Sequence, residues 1–448
     1  MLTKLKKFRN RLTAPFVIIG MFSLISLLGG LVLQSSFVTN SGQETPFIDA
    51  LFTAVSAVCV TGNVTVNTME HWNYWGWTLI LILIEIGGLG FMTLWVTIFL
   101  LLGKKINLRS HKVLLESLNI SDISQVKYIL IHIIRFSFII QLFGAIFLSY
   151  DFIPRMGWLK GIYFAVFHSV SAFCNAGFDL FGDSLIGHQG NPIVLLTISS
   201  LIITGGLGFI VWRDLLTYHR SRKLLWHTKI VVMMTVILIV GGTLLFAVTE
   251  RNMGLFSDQP TVMRWLNYFF LSVTPRTAGY ANIDYTLLSP AGIFLTLVLM
   301  FIGASSGSTG GGVKTTTLAV VIIQALSAIR RKGTVIFRRT ISQEAVVKSI
   351  FIMISGMLLI TSVTFILLNT ETIPEGYGVE YILVDVISCF STVGLTMGLT
   401  PNLSIVGKMV LILLMLIGRI GLLTVFWSAN MNRKPSKIKF PTGQMMIG

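Results

Sequence analysis

Four glycines, Gly62, Gly177, Gly279 and Gly394, recur at spacings of 115, 102 and 115 residues, each near the end of a short stretch rich in Ser, Thr or Cys. The stretches read ALFTAVSAVCVTGN from Ala50, AVFHSVSAFCNAGF from Ala165, YFFLSVTPRTAGY from Tyr268 and LVDVISCFSTVGL from Leu383. Glycine reaches left-handed and mirror-extended dihedrals without a Cβ penalty, so it lets successive carbonyls aim at one axis. Rings of such carbonyls can replace the hydration shell of a cation, which is the chemistry of a selectivity filter. The candidate oxygens belong to Val60, Thr61, Gly62 and Asn63, to Asn175, Ala176, Gly177 and Phe178, to Thr277, Ala278, Gly279 and Tyr280, and to Thr392, Val393, Gly394 and Leu395. One such loop alone reads as a tight turn between helices. Four copies of a unit of about 110 residues read as a cation pore.

A second stretch has unusual chemistry. Gly303, Ala304, Ser305, Ser306, Gly307, Ser308, Thr309, Gly310, Gly311 and Gly312, followed by Val313 and Lys314, cannot persist as a regular helix, yet they follow an apolar run at about membrane depth. Non-helical backbone at that depth must line a cavity or be buried in protein. Small-residue motifs at equivalent places, Ile86 to Gly90, Thr204 to Gly208 and Ile417 to Gly421, read as close helix packing. Arg135, Arg276, Lys314 and Arg419 are basic residues at membrane depth; snorkelling accounts for Arg135. Arg419 lies deep in its helix, where it would either repel cations from a cavity or bond the carbonyls of the broken stretch. Glu85 is the one acid that looks buried, and it could pair with Lys314 or Arg419.

No Walker loop, dinucleotide fingerprint, zinc-protease motif or nucleophile elbow occurs, so there is no candidate catalytic residue and no cofactor site. Cys59, Cys174 and Cys389 read as small buried hydrophobes, and His168 as a structural partner. An ion-coupled carrier of a small solute is the alternative function. It fits less well, because such carriers show inverted or two-unit repeats and more intramembrane acids.

These features need elements to position them. The chain has 448 residues, 54% hydrophobic and 12% charged, which excludes a soluble or disordered protein. Apolar stretches long enough to span a bilayer lie near 14–35, 75–102, 128–150, 192–213, 229–249, 286–303, 346–369 and 404–428. Between the members of each pair lies a stretch too short to span, near 48–63, 161–178, 262–280 and 381–395. The expected fold is therefore an all-α polytopic membrane protein with eight transmembrane helices, built as four tandem helix, pore-loop, helix repeats around a pseudo-fourfold pore. The boundaries are a cytoplasmic N-terminus (1–13), repeat 1 (14–103), repeat 2 (128–218), repeat 3 with its broken second helix (226–331), repeat 4 (344–430) and a cytoplasmic tail (431–448). Of 34 Lys and Arg, 25 fall in the two termini and three connectors, while the intervening connectors carry most of the 18 acids. That alternation is the positive-inside pattern with both termini cytoplasmic, and it leaves no basic face for nucleic acid.

Taken together, the four-unit plan, the loop ends Val60-Thr61-Gly62, Asn175-Ala176-Gly177, Arg276-Thr277-Ala278-Gly279 and Thr392-Val393-Gly394, and the stretch Gly303 to Thr317 resemble the Trk/Ktr/HKT superfamily of potassium transporters. Length and the short N-terminus look most like the Ktr membrane subunit. The resemblance implies potassium uptake across a bacterial cytoplasmic membrane, with potassium as the substrate at the filter and no other metal. It implies a gate formed by Gly303 to Gly312, with Lys314 and Arg419. It also implies a homodimer on a cytosolic ring whose nucleotide-binding domains sense ATP and ADP, with sodium as an activating ion. In that family Gly at the first filter position goes with potassium and Ser with sodium; position 62 is Gly. Asn63 departs from the apolar residue the family has there, which bears on the outermost ion site.

Overall fold

The computed structural model describes residues 14–90, 126–331 and 333–425. The basic N-terminus, the continuation of the first closing span with its connector, and the C-terminal tail lie outside the described residues. Within them one plan occurs four times: an opening helix, a short helix, a loop and a closing helix. The opening helices are Ala14–Leu33, Val126–Met156, Trp226–Thr249 and Gln343–Thr370. The short helices are Phe47–Cys59, Trp158–Cys174, Thr261–Val273 and Glu380–Ser391. The closing helices are Tyr74–Leu89, Pro192–Leu207, Pro290–Phe301 and Ile405–Ile420.

The two kinds of helix have opposite surroundings. All four opening helices are long and apolar enough to cross a membrane, and they expose side chains such as Leu28, Leu142, Val236 and Leu358. An apolar exterior of this kind is solvated by lipid, and a helix satisfies its own backbone there. The short helices are mostly buried, including polar residues such as Thr53, Ser56, Ser171 and Ser388. The first, second and fourth pack against both the opening and the closing helix of their own repeat, and the third against its own opening helix and the closing helix of repeat 2; the opening helices form the outer layer.

Local signals explain where the closing helices begin. Asn73, Asn191, Ser289 and Ser404 each accept a backbone N–H of the first turn, and Pro192 and Pro290 occupy first-turn positions that need no donor. In repeats 3 and 4 a glutamate at the end of the opening helix holds the cap. Glu250 accepts from the Ser289 amide (3.1 Å) and hydroxyl (2.7 Å), as Glu371 does from Ser404 (2.8 and 2.6 Å).

Where the closing helices end departs from the sequence expectation. Only the third was expected to break, but the first, second and fourth also stop, at Gly90, Gly208 and Gly421, with φ of 80°, 93° and 94°. No right-handed helix continues through such a φ. In repeat 2 the chain resumes as Phe209–Ser221 after a bend of 97°. The closing helices are consequently 12 to 16 residues long, shorter than a full span. The connector before repeat 4 adds a small antiparallel hairpin, Val335–Ile336 with Arg339–Thr340, that sequence periodicity did not show.

Candidate functional site

Three of the short helices end in the same way. The N–H groups of Thr61, Ala176 and Val393 return to the carbonyls of Ser56, Ser171 and Ser388, each at 2.8 Å, across a left-handed Val60, Asn175 or Thr392. This is a Schellman ending with a non-glycine residue in the strained position. Repeat 3 differs: its helix is followed by a right-handed Thr274, and although Thr277 is left-handed like its counterparts, Ala278 N–H returns only four residues, to the Thr274 carbonyl at 3.0 Å. The four left-handed residues have φ of 58°, 60°, 73° and 52°, and two residues later Gly62, Gly177, Gly279 and Gly394 have φ of 96°, 68°, 77° and 98°. Positive φ at every second residue turns neighbouring carbonyls toward one side. The cost is roughly 1 kcal/mol at each non-glycine position, strain of the kind that concentrates at functional sites.

The glycines also close a ring. A Cβ on Gly62 would strike the carbonyl oxygen of Ala176; on Gly177, that of Ala278; on Gly279, that of Val393; and on Gly394, that of Thr61. Each loop abuts the next, and the fourth returns to the first. The four loops therefore surround one axis, and only a residue without a side chain fits at each seam. The short helices end at this ring, bringing the negative ends of their dipoles to it. The side-chain hydroxyls of Thr61, Ser391 and Thr392 are buried and have no partner among the described residues, so they are free to serve an ion.

Hydroxyls on or just after the short helices brace the ring, and sequence reasoning did not single them out. Ser56 and Ser388 accept the N–H groups of Gly62 (3.0 Å) and Gly394 (2.9 Å). Ser171 donates to the Phe178 carbonyl at 2.8 Å, and Thr274 to that of Tyr280 at 2.6 Å. Their signal was a hydroxyl five or six residues before each glycine. These bonds separate the sixteen candidate oxygens. The outermost carbonyls of Phe178 and Tyr280 accept hydroxyls of the protein, so they have less lone-pair capacity to offer an ion than an unbonded carbonyl has. Asn63 itself is buried, with its amide bonded to Thr400 (3.0 Å) and Ser388 (3.2 Å).

The glycine-rich stretch of repeat 3 crosses directly beneath the ring. A Cβ on Gly310 would strike Thr277, and one on Gly311 would strike Thr392. Its base is zipped: Gly303 donates to the Val313 carbonyl at 2.8 Å, and Ile302 and Val313 form a bridge. Its flank is held by repeat 2, where Ser305 N–H donates to the Gly206 carbonyl (3.0 Å) and Thr309 to those of Gly205 (3.3 Å) and Phe173 (3.2 Å). Lys314 caps the carbonyls of Gly310 (2.6 Å) and Gly311 (3.2 Å). Arg419 donates to Thr309 of the stretch and to Gly87 and Gly88 of repeat 1. Of its two expected roles, the structure shows the bonding of a carbonyl of the stretch. Below lies a cavity of about 660 Å³ lined by the stretch, by Arg419 and by the broken ends of closing helices 1 and 4.

Glu85 pairs with neither cation. It accepts from Gln141 Nε2 at 2.9 Å and from Cys174 Sγ at 3.3 Å, because closing helix 1 faces repeat 2 at this level. The closing-helix glycines combine two duties where one was expected. Gly87, Gly205 and Gly418 let their helices touch the carbonyls of Val58, Phe173 and Phe390, while Gly90, Gly208 and Gly421 end them. Arg276 is buried and donates to Thr235 at 3.4 Å, and Arg135 is exposed on the outer surface of its helix. His168 bonds the Phe164 carbonyl (2.7 Å) and the Leu180 amide (3.2 Å), a structural role. All three cysteines are unpaired and buried.

Such an arrangement defines a class: a multi-pass membrane protein in which four duplicated loops enclose one axis and a fifth lies against two of them. The family model for TrkH, a cation transport protein, matches residues 1–437, and the chain belongs to this family of transporters, which are not enzymes. It is 49% identical over 447 residues to the potassium/sodium uptake protein NtpJ of Enterococcus hirae, covering 99% of both chains. It is 38% identical over 440 residues to the Ktr system potassium uptake protein B of Bacillus subtilis, covering 98% of this chain and 97% of that one. The crystal structure of the potassium transporter TrkH from Vibrio parahaemolyticus superposes with a TM-score of 0.69 at 18% identity, over 92% of this chain and 83% of that one, which establishes the shared fold.

Proposed function

We propose that the chain carries out potassium uptake across a bacterial cytoplasmic membrane, through a filter formed by the four loops. The observation that carries this reading is the closed cycle of glycine-to-carbonyl contacts from Gly62 through Gly177 and Gly279 to Gly394. The inner three rings, from Val60 to Gly62 and their equivalents, supply oxygens for a dehydrated monovalent cation. Gly303 to Gly312 form the gate, stapled by Lys314 and Arg419. Relatives named for potassium and for potassium/sodium uptake support the substrate class, with sodium as a second or activating cation. Relatives named as parts of a Ktr system support a partner, which we take to be a cytosolic nucleotide-binding ring beneath a homodimer, with both termini cytoplasmic and the four repeats bounded as the sequence suggests.

Rubidium tracer flux into vesicles of purified protein tests the reading. Uptake should proceed down a rubidium gradient with no organic solute present and should be inhibited by potassium. An absolute requirement for a co-transported solute would overturn it in favour of a carrier.

A further inference from the structure

The four seams of the ring are not alike. Loops 2 and 3 are tied by a side chain after the glycine: Tyr280 donates to the Phe178 carbonyl at 3.1 Å. Loops 4 and 1 are tied by Asn63, which follows Gly62. Its Nδ2 donates to Thr400 Oγ1 at 3.0 Å, and its Oδ1 accepts from Ser388 Oγ at 3.2 Å. The equivalent residues facing the remaining seams are Phe178 and Leu395, whose side chains have no polar group to offer. The outer edge is thus pinned in two pairs.

The Asn63 tie continues into a buried carboxylate. Thr400 donates its hydroxyl to Asp385, and Thr396 does so at 2.9 Å. Asp385, Asn63, Ser388 and Thr400 are all essentially inaccessible, and Asp385 has no ion-pair partner among the described residues. The hydroxyls of Thr396 and Thr400 and the backbone N–H groups of Met397 and Thr400 are what stabilise this carboxylate. Since Thr400 has a single proton, already given to Asp385, only a donor can occupy its other side; the Asn63 amide meets that demand and an apolar residue would not. The opposite end of the same amide receives the Ser388 hydroxyl, and Ser388 in turn accepts the Gly394 N–H at 2.9 Å. Asn63 therefore links the backbone of the first loop to the brace of the fourth.

Resting on the filter reading above, we infer that Asn63 is a specificity-determining positioning residue, which through Thr400 and Ser388 holds loops 1 and 4 at the spacing that favours a larger monovalent cation over sodium. It acts through the loops and does not itself touch the ion.

Paired rubidium and sodium tracer fluxes through purified protein in vesicles decide the matter, with Gly62→Ser measured alongside. Asn63→Leu and Thr400→Val should each raise the sodium-to-rubidium flux ratio about fivefold, the factor set by one hydrogen bond of ordinary net strength. The double variant should go no further than either single, and Thr400→Ser should behave as the parent. If Gly62→Ser shifts the ratio and both Asn63→Leu and Thr400→Val leave it unchanged, the tie does not set selectivity although the filter stands. If Gly62→Ser is also without effect, the filter reading falls and this inference with it. Should Asn63→Leu fail to fold, the near-isosteric Thr400→Val reads the same link, and additive effects of the two would equally overturn it.

Discussion

The ring of four loops and the stretch beneath it are both irregular backbone buried at membrane depth, yet they are held by different physics. In the ring, each glycine is wedged against the next repeat's carbonyl, so the contacts form a closed circuit that no loop can leave alone. The stretch from Gly303 to Gly312 has no such circuit. It hangs on separate polar contacts, chiefly Ser305 and Thr309 with repeat 2, Lys314 with its own loop and Arg419 with Thr309. A closed steric circuit is rigid because interiors are close-packed, whereas polar staples can be exchanged one by one for water or for an ion. Rigid geometry suits discrimination between ions of one charge, and breakable contacts suit a gate.

That contrast can be broken most sharply at the ring. Gly62→Ser places a side chain against the Ala176 carbonyl and at a φ that L-residues resist; potassium-competed rubidium uptake should fall by about tenfold or more, and sodium flux should rise. Unchanged selectivity would dissolve the distinction. At the proposed gate the sign reverses. Arg419→Ala removes charge-assisted bonds to Thr309, Gly87 and Gly88, each of a kind worth about 1.5–3 kcal/mol, so unstimulated flux should rise roughly tenfold, as should removal of Ala304 to Gly312. A well-folded variant that conducts no faster would show that the stretch does not obstruct the path. A smaller effect belongs to the braces: Ser388→Ala leaves the Gly394 N–H without its acceptor, a loss of about 1 kcal/mol that should relax ion discrimination a few-fold while flux persists. Least of all should change at the periphery. Glu371→Ala removes the support of the Ser404 cap and an exposed bond from Thr370, lowering thermal stability by about 1 kcal/mol in detergent with selectivity intact.

Much of the ring could be read in advance because its signal is local and repeated. The short segments near 48–63 and 381–395 correspond to helices Phe47–Cys59 and Glu380–Ser391 with their loops, since a helix, its left-handed cap and its glycine occupy adjacent positions. The break at Gly303 was legible from composition. Those at Gly90, Gly208 and Gly421 were not, since a glycine that packs and one that ends a helix look alike in a run such as Gly87-Gly88-Leu89-Gly90. Glu85 illustrates the other limit: its depth was evident, but its partners Gln141 and Cys174 lie 56 and 89 residues away.

From the chain alone follow the fourfold duplication, the membrane setting, the glycine in every loop and the lack of catalytic groups, because each is a matter of composition or of spacing along the backbone. Folding alone decided which loop abuts which, that Arg419 reaches across 332 residues to Gly87, and that Asn63 reaches across 337 to Thr400. Those are contacts through space between different repeats, and a one-dimensional pattern has no coordinate for them until the helices pack.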